Sequence, residues 1–228
     1  MKRSKMLERR RENAVQEKEK LLKDIESPEP LKINMLHYHS SSLVTIKDLS
    51  VRYPDSDTPL FSGLSMEIRS GSRIALSGKN GCGKSSLIRL ILGQNIPHTG
   101  EISAASGLRI SYVSQDTSQL HGTLSEFALH CGVDASLLLT VLDKLGLERP
   151  QFEKRIETYS EGQKKKVLLA KSLCEPAHLF VWDEPLNYID IFSRIQLEDL
   201  LLACQPSILF VEHDRTFREK IATEIIEL

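Results

Sequence analysis

One stretch constrains this chain more than any other: Gly78-Lys79-Asn80-Gly81-Cys82-Gly83-Lys84-Ser85, followed by Ser86. It fits the pattern G-x-x-x-x-G-K-[ST]. Its three glycines let successive backbone N–H groups turn inward around an anion, a path that residues carrying a Cβ resist. A short apolar strand over residues 73–77 leads in, and a helical stretch over 85–92 leads out. The helix would aim the positive end of its dipole at the same anion. Lys84 supplies a point charge for the terminal phosphate oxygens, and the Ser85 hydroxyl a ligand for Mg²⁺. Cys82 admits two readings: a thiol activated beside a helix N-terminus, or a small residue that fits the loop. The second needs no further assumption.

The rest of the chain reads in the same topology. Residues 44–53, 64–68, 109–113, 178–182 and 207–211 have the apolar or alternating character of strands, and 124–174 is mostly helical with breaks at Gly132 and around Gly146 and Pro150. Strands alternating with helices predict an α/β fold with a mostly parallel core sheet. An antiparallel β edge precedes that sheet, and a helical subdomain occupies about 120–175. Residues 1–26 are dense in Lys, Arg and Glu, without Gly or Pro. Leu7, Ala14 and Leu21 recur at heptad spacing there, with Val15, Leu22 and Ile25 beside them. This predicts a long basic helix with a narrow apolar seam, roughly 35 Å in length. Ser27-Pro28-Glu29-Pro30 stops it, because proline cannot continue a helix. Residues 27–43 are expected to be a linker, and 44–228 the globular domain.

Composition narrows the function classes. The 228 residues are 40% apolar and 27% charged, a globular balance. A net charge of −1 gives no whole-chain attraction to nucleic acid, so only a local basic patch could supply one. Cys82, Cys131, Cys174 and Cys204 form no CxxC-type metal or redox pair, as expected of free thiols in a reducing compartment. The start, Met1-Lys2-Arg3-Ser4-Lys5, leads into charge and not into the apolar core of a secretory signal. Apolar runs such as 137–139 and 208–211 fall far short of the ~20 residues that span a bilayer. The expectation is a cytoplasmic protein with no transmembrane segment.

A second cluster carries chemistry. His178-Leu179-Phe180-Val181-Trp182-Asp183-Glu184 is an apolar strand ending in two carboxylates. At the C-terminal edge of a parallel sheet these face the ligand crevice. Asp183 would hold Mg²⁺, and Glu184 would polarise or deprotonate an attacking water. Two acids after a strand can also simply cap the next helix; the phosphate loop upstream selects the chemical reading.

Between the two lies Tyr159-Ser160-Glu161-Gly162-Gln163, which resembles the LSGGQ signature of ABC-type ATPases. Gln115 in Tyr112-Val113-Ser114-Gln115-Asp116 resembles that family's Q-loop, Ile189-Asp190 its D-loop, His213 its switch histidine, and Tyr53 its adenine-stacking aromatic. Each alone has an ordinary structural use; their order along one chain does not. The resemblance covers about residues 44–228. It implies the ABC ATPase form of the P-loop NTPase fold and hydrolysis of ATP with Mg²⁺. It places ATP on Tyr53, Gly78, Lys79, Asn80, Gly81, Cys82, Gly83, Lys84, Ser85 and Ser86, with Ser85, Gln115 and Asp183 around the metal. Glu184, His213 and Gln115 would serve catalysis. Ser160, Gly162 and Gln163 would contact nucleotide held by a second ABC domain, so hydrolysis requires that pairing. Glu161 and Tyr159 depart from the usual signature, and a carboxylate this close to a triphosphate must point away from it.

Within the family, Asp183-Glu184-Pro185-Leu186-Asn187-Tyr188-Ile189-Asp190 looks like the DEPTNHLD motif of the ABC-F class, departing at Leu186, Tyr188 and Ile189. His213-Asp214-Arg215-Thr216-Phe217 looks like its HDRxF motif. The basic helix over 1–26 looks like one arm of the ABC-F interdomain linker, which enters the ribosomal tRNA site. That implies a translation factor or antibiotic-resistance protein whose Lys and Arg residues meet rRNA or tRNA phosphates. The alternative is the ATPase subunit of a membrane transporter, with a permease as partner. A chromosome or repair ATPase is disfavoured, since a long coiled coil would separate the phosphate loop from the signature. An apolar seam needs a partner helix, and none is evident here. The chain is therefore expected to be the C-terminal half of a longer protein or a truncated product, pairing with a missing N-terminal half or with a second copy.

Overall fold

The computed structural model describes residues 30–54 and 58–228. In chain order the strands are β1 (Ser42–Val51), β2 (Phe61–Arg69), β3 (Arg73–Ser77), β4 (His98–Ala104), β5 (Ile110–Val113), β6 (Leu179–Asp183), β7 (Ile208–Val211) and β8 (Glu224–Glu227). The α-helices are α1 (Lys84–Ile91), α2 (Leu124–Cys131), α3 (Ala135–Lys144), α4 (Glu161–Cys174), α5 (Ile191–Cys204) and α6 (Arg215–Ile221). The helix expected over 1–26 lies outside the described residues.

The strands form two sheets. One has the order β2-β1-β4 and is antiparallel; the other has the order β5-β6-β7-β3-β8 and is parallel throughout. The central strands β6 and β7 are buried at every position. A parallel sheet covered on both faces demands such unbroken apolar runs.

Alternation across the parallel sheet divides the core in two. Ala75, Val113, Phe180, Trp182 and Phe210 face one way, into a cluster completed by α2–α6. Ile74, Leu76, Val181, Leu209 and Val211 face the other way, against α1 and the antiparallel sheet. Side chains alternate between faces along a strand, so a single strand feeds both layers.

Two strands, β4 and β8, are absent from the strand pattern of the sequence. Both are almost entirely exposed, so neither shows apolar alternation. The segment expected to be a linker also holds docked chain. Leu31 is buried, the Asn34 N–H donates to the Leu173 carbonyl at 3.0 Å, and the Leu36 N–H to the Ala177 carbonyl at 2.7 Å. From Leu31 to Leu36 the chain thus lies along the end of α4 and the approach to β6, and β1 already begins at Ser42.

For function, one property of this sheet matters most. The turns that follow β3, β5, β6 and β7 all leave its C-terminal edge, where parallel α/β sheets hold their ligands.

Candidate functional site

The turn after β3 passes through Gly78, Gly81 and Gly83 at φ of 148°, 82° and 107°. Gly83 is the N-cap of α1 in left-handed geometry, and a Cβ there would lie 2.8 Å from the Phe61 ring. Only glycine satisfies both the backbone angle and that approach. The Lys84 ammonium folds back over the turn, donating to the carbonyls of Gly78 at 2.8 Å and Lys79 at 3.0 Å. Cys82 lies beside it, with Sγ 4.0 Å from Lys84 Nζ. Asn80, Gly81, Gly83, Lys84, Ser85 and Ser86 line a cleft of about 300 Å³, together with Gln115, Glu184 and Leu60. Tyr53 meets Ser86 instead, hydroxyl to hydroxyl at 3.2 Å.

Across the cleft stands the end of β6. Asp183 is buried, and its Oδ2 accepts from the Ser85 hydroxyl at 3.3 Å. Burial, reinforced by the Glu184 charge, pushes the Asp183 carboxyl upward. A desolvated carboxylate paired with a hydroxyl is a hard, oxygen-only donor set, which is what Mg²⁺ selects. The residues present therefore fit the implied cation.

Glu184 adopts φ 50°, a conformation costly for a residue with a Cβ and common where function over-determines the backbone. Its N–H donates to the Val211 carbonyl at 3.0 Å. Its Oε2 accepts from the side-chain amides of Gln115 at 2.8 Å and Asn187 at 2.6 Å. Its Oε1 lies 3.2 Å from His213 Nε2. The structure thus brings Gln115, Glu184 and His213 together from the ends of three different strands. With its amide nitrogen on Glu184, Gln115 has only its oxygen with which to meet a cation.

Glu212 ties two of these turns together. It is buried and accepts from the N–H groups of Leu186 at 2.7 Å and His213 at 3.1 Å. Burial pushes its carboxyl upward against those bonds. Asn187, Glu212 and Leu60 were not assigned from sequence. The Asn187 bond to Glu184 spans three residues, so its signal was a polar amide one turn beyond the acid. Glu212 ends the apolar run 208–211 as Asp183 ends 179–182, which was its signal; Leu60 gives none.

Ser160, Gly162 and Gln163 do not line this cleft. Ser160 is the N-cap of α4 in a capping box: its hydroxyl oxygen accepts from the Gln163 N–H at 3.3 Å, and Gln163 Oε1 accepts from the Ser160 N–H at 2.9 Å. That arrangement satisfies two end-of-helix donors reciprocally. Gly162 has a structural reason as well, since a Cβ there would lie 2.5 Å from the Tyr188 carbonyl oxygen. Glu161 turns toward Thr117, whose hydroxyl donates to it at 2.6 Å, and toward Lys164 at 3.0 Å. The Thr117 hydrogen bond first, then that of Lys164, hold its carboxyl below the usual range.

A family model described as "ABC transporter" matches residues 61–187. The chain is 29% identical over 216 residues to the ATP-binding protein Uup of Buchnera aphidicola, covering 91% of this chain and 36% of that protein. It is 30% identical over 193 residues to ABC transporter F family member 2 of Arabidopsis thaliana, covering 82% and 28%. The chain thus spans about a third of the length of these relatives. Among solved structures, a dimeric bacterial ABC transporter cassette superposes with a TM-score of 0.70 at 18% identity, over 82% of this chain and 94% of that one. A metal-chelate type ABC transporter superposes at 0.66 and 23%, over 82% and 80%. At these identities the structural likeness concerns the fold. Among the described residues no single helix is long and apolar enough to cross a membrane.

Proposed function

The chain belongs to the ABC family of ATP-hydrolysing domains, and from that premise we propose that it works as one half of an ABC-F-type ATPase acting on the ribosome. The observation that carries the hydrolytic part is the convergence of Gln115, Asn187 and His213 on Glu184, beside the Ser85–Asp183 pair. ATP lies along the turn at residues 78–85, with its terminal phosphates on the backbone N–H groups and on Lys84. To reach them, Lys84 gives up its bonds to the Gly78 and Lys79 carbonyls. When bound at Ser85 and Asp183, Mg²⁺ spreads the charge of the terminal phosphates. Glu184 takes the proton of the attacking water, while Gln115 and Asn187 fix its carboxylate and His213 flanks it. Most of the rate then comes from positioning and charge stabilisation. Ser160 and Gly162 contribute to a nucleotide held by a second ABC domain, in the other half of a longer protein or in a second copy.

The ABC-F part is supported by the motif at residues 183–190 and by relatives named as ABC transporter F family members. The basic stretch over residues 1–26 supplies Lys and Arg for rRNA or tRNA phosphates, a contact that weakens as salt rises. Antibiotic protection is one outcome of such binding. The test locks Glu184→Gln with ATP and Mg²⁺ and asks what it sediments with. Ribosome association that fades with salt supports the proposal. Partition with membranes containing a permease supports the transporter reading instead.

A further inference from the structure

Lys164, Lys165 and Lys166 follow one another near the start of α4, and the outer two are ion-paired. Lys164 pairs with Glu161 at 3.0 Å and Lys166 with Asp190 at 2.6 Å. Lys165 is 2% exposed, and neither of its two hydrogen bonds goes to a carboxylate. Its ammonium donates to the carbonyl of Ser114 at 2.8 Å and to that of Asp183 at 3.2 Å. Burying an ammonium is costly, and a merely structural position of this volume is served as well by an apolar side chain.

Strand register explains what those two carbonyls have in common. The parallel ladder between β5 and β6 ends at the pair Val113–Trp182. Ser114 and Asp183 are the next residues on each strand, and Gln115 and Glu184 come one step later. Lys165 therefore stands where the next rung of the ladder would be, drawing together two carbonyl dipoles that backbone pairing no longer joins.

We infer that Lys165 is a positioning residue for hydrolysis, clamping the two strand ends so that the Gln115 amide and the Glu184 carboxylate stay in hydrogen-bond contact. The inference rests on the roles proposed above for Gln115 and Glu184. The charged groups around the ammonium are Asp183, Glu184 and Glu212, which oppose the effect of its burial. The clamp itself is a matter of donor geometry.

The test compares Lys165→Met, which keeps length and apolar volume, with Lys165→Arg, which keeps a donor. Three quantities are read: affinity for a fluorescent ATP analogue, the steady-state kcat and KM for ATP, and a crystal structure of the Lys165→Met protein. The methionine variant should bind the analogue within about twofold of wild type, keep its KM, and lose between about tenfold and a hundredfold in kcat. Its Gln115 Nε2–Glu184 Oε2 separation, 2.8 Å here, should open beyond hydrogen-bond range, and the arginine variant should recover part of the lost turnover. Unchanged kcat, or a retained contact in the methionine variant, overturns the inference. So does a lowered melting temperature without a split between kcat and KM. Should Lys165→Met not fold, Lys165→Leu, which likewise lacks a donor, carries the same comparison. If Glu184→Gln also turned over like wild type, the hydrolytic proposal itself would fail, and the contact distance would still decide the role of Lys165.

Discussion

Replacing Glu184 by glutamine isolates the chemistry of one oxygen. In the structure Oε2 receives two amide donors, from Gln115 and Asn187, and Oε1 faces His213. A glutamine must keep its carbonyl oxygen toward the two amides, because an NH₂ there would confront two donors. Its own NH₂ then points at His213 Nε2, which has to accept. The shape of the site survives, and the base does not. Loss of a positioned general base costs about 10²- to 10⁴-fold, or about 3–5 kcal/mol of barrier. Binding should not suffer. The lost Glu184 charge is one of the two causes that push the Asp183 carboxyl up, the first being burial. Its removal favours ionised Asp183 and hence the cation. Phosphate release at saturating ATP and Mg²⁺ measures the first effect, and titration with a fluorescent nucleotide the second. Turnover within about threefold of wild type would refute the base assignment. An affinity loss of more than about tenfold, worth 1.4 kcal/mol, would refute the claim that the site keeps its shape.

Lys84→Ala should weaken nucleotide binding by about tenfold or more while leaving a folded protein, since it removes two hydrogen bonds to turn carbonyls, worth about 1–3 kcal/mol together; titration and thermal melting read the two effects separately. Asp190→Asn should keep the N-cap of α5 but lose the ion pair with Lys166 at 2.6 Å. Burial works against ionised Asp190, yet its hydrogen bonds from Lys166 and Ser193 hold the carboxyl at about 2, down from 3.8. A pKa depressed in the folded state stabilises fully above the unfolded value, and that contribution is lost as pH falls through about 2. With Asp190 half exposed, it is worth about 1 kcal/mol after solvent screening. Urea unfolding should therefore show wild type ahead of Asp190→Asn at pH 7 and level with it near pH 2; equal stability at pH 7 would dismiss the pair.

What was legible in the sequence is what must be contiguous. The turn at residues 78–85 carries its glycines, lysine and serine in one run because a phosphate chain meets one piece of backbone. β6 and β7 announced themselves because both faces are covered, leaving no room for charge except at Asp183. β4 and β8 stayed hidden because their residues mostly face solvent and only backbone pairing defines them. The lysine run at 164–166 gives no hint of burial in its composition, yet α4 turns both Lys165 and Lys166 into the interior, a placement set by the helix's packing and not by its charge. Leu60 lines the cleft through contacts made by folding alone, so nothing nearby in the chain foretells it.

The four working turns issue from one parallel ladder, with Leu76 and Asp183 both opposite Val211 and Val113 opposite Trp182. Spacing among the reacting groups is thereby digital. A strand cannot slide by a fraction of a residue, and a slip of one residue would swap its inner and outer faces. Any finer adjustment among these groups must come from the turns that carry them, while the sheet acts as a fixed ruler against which such shifts are measured.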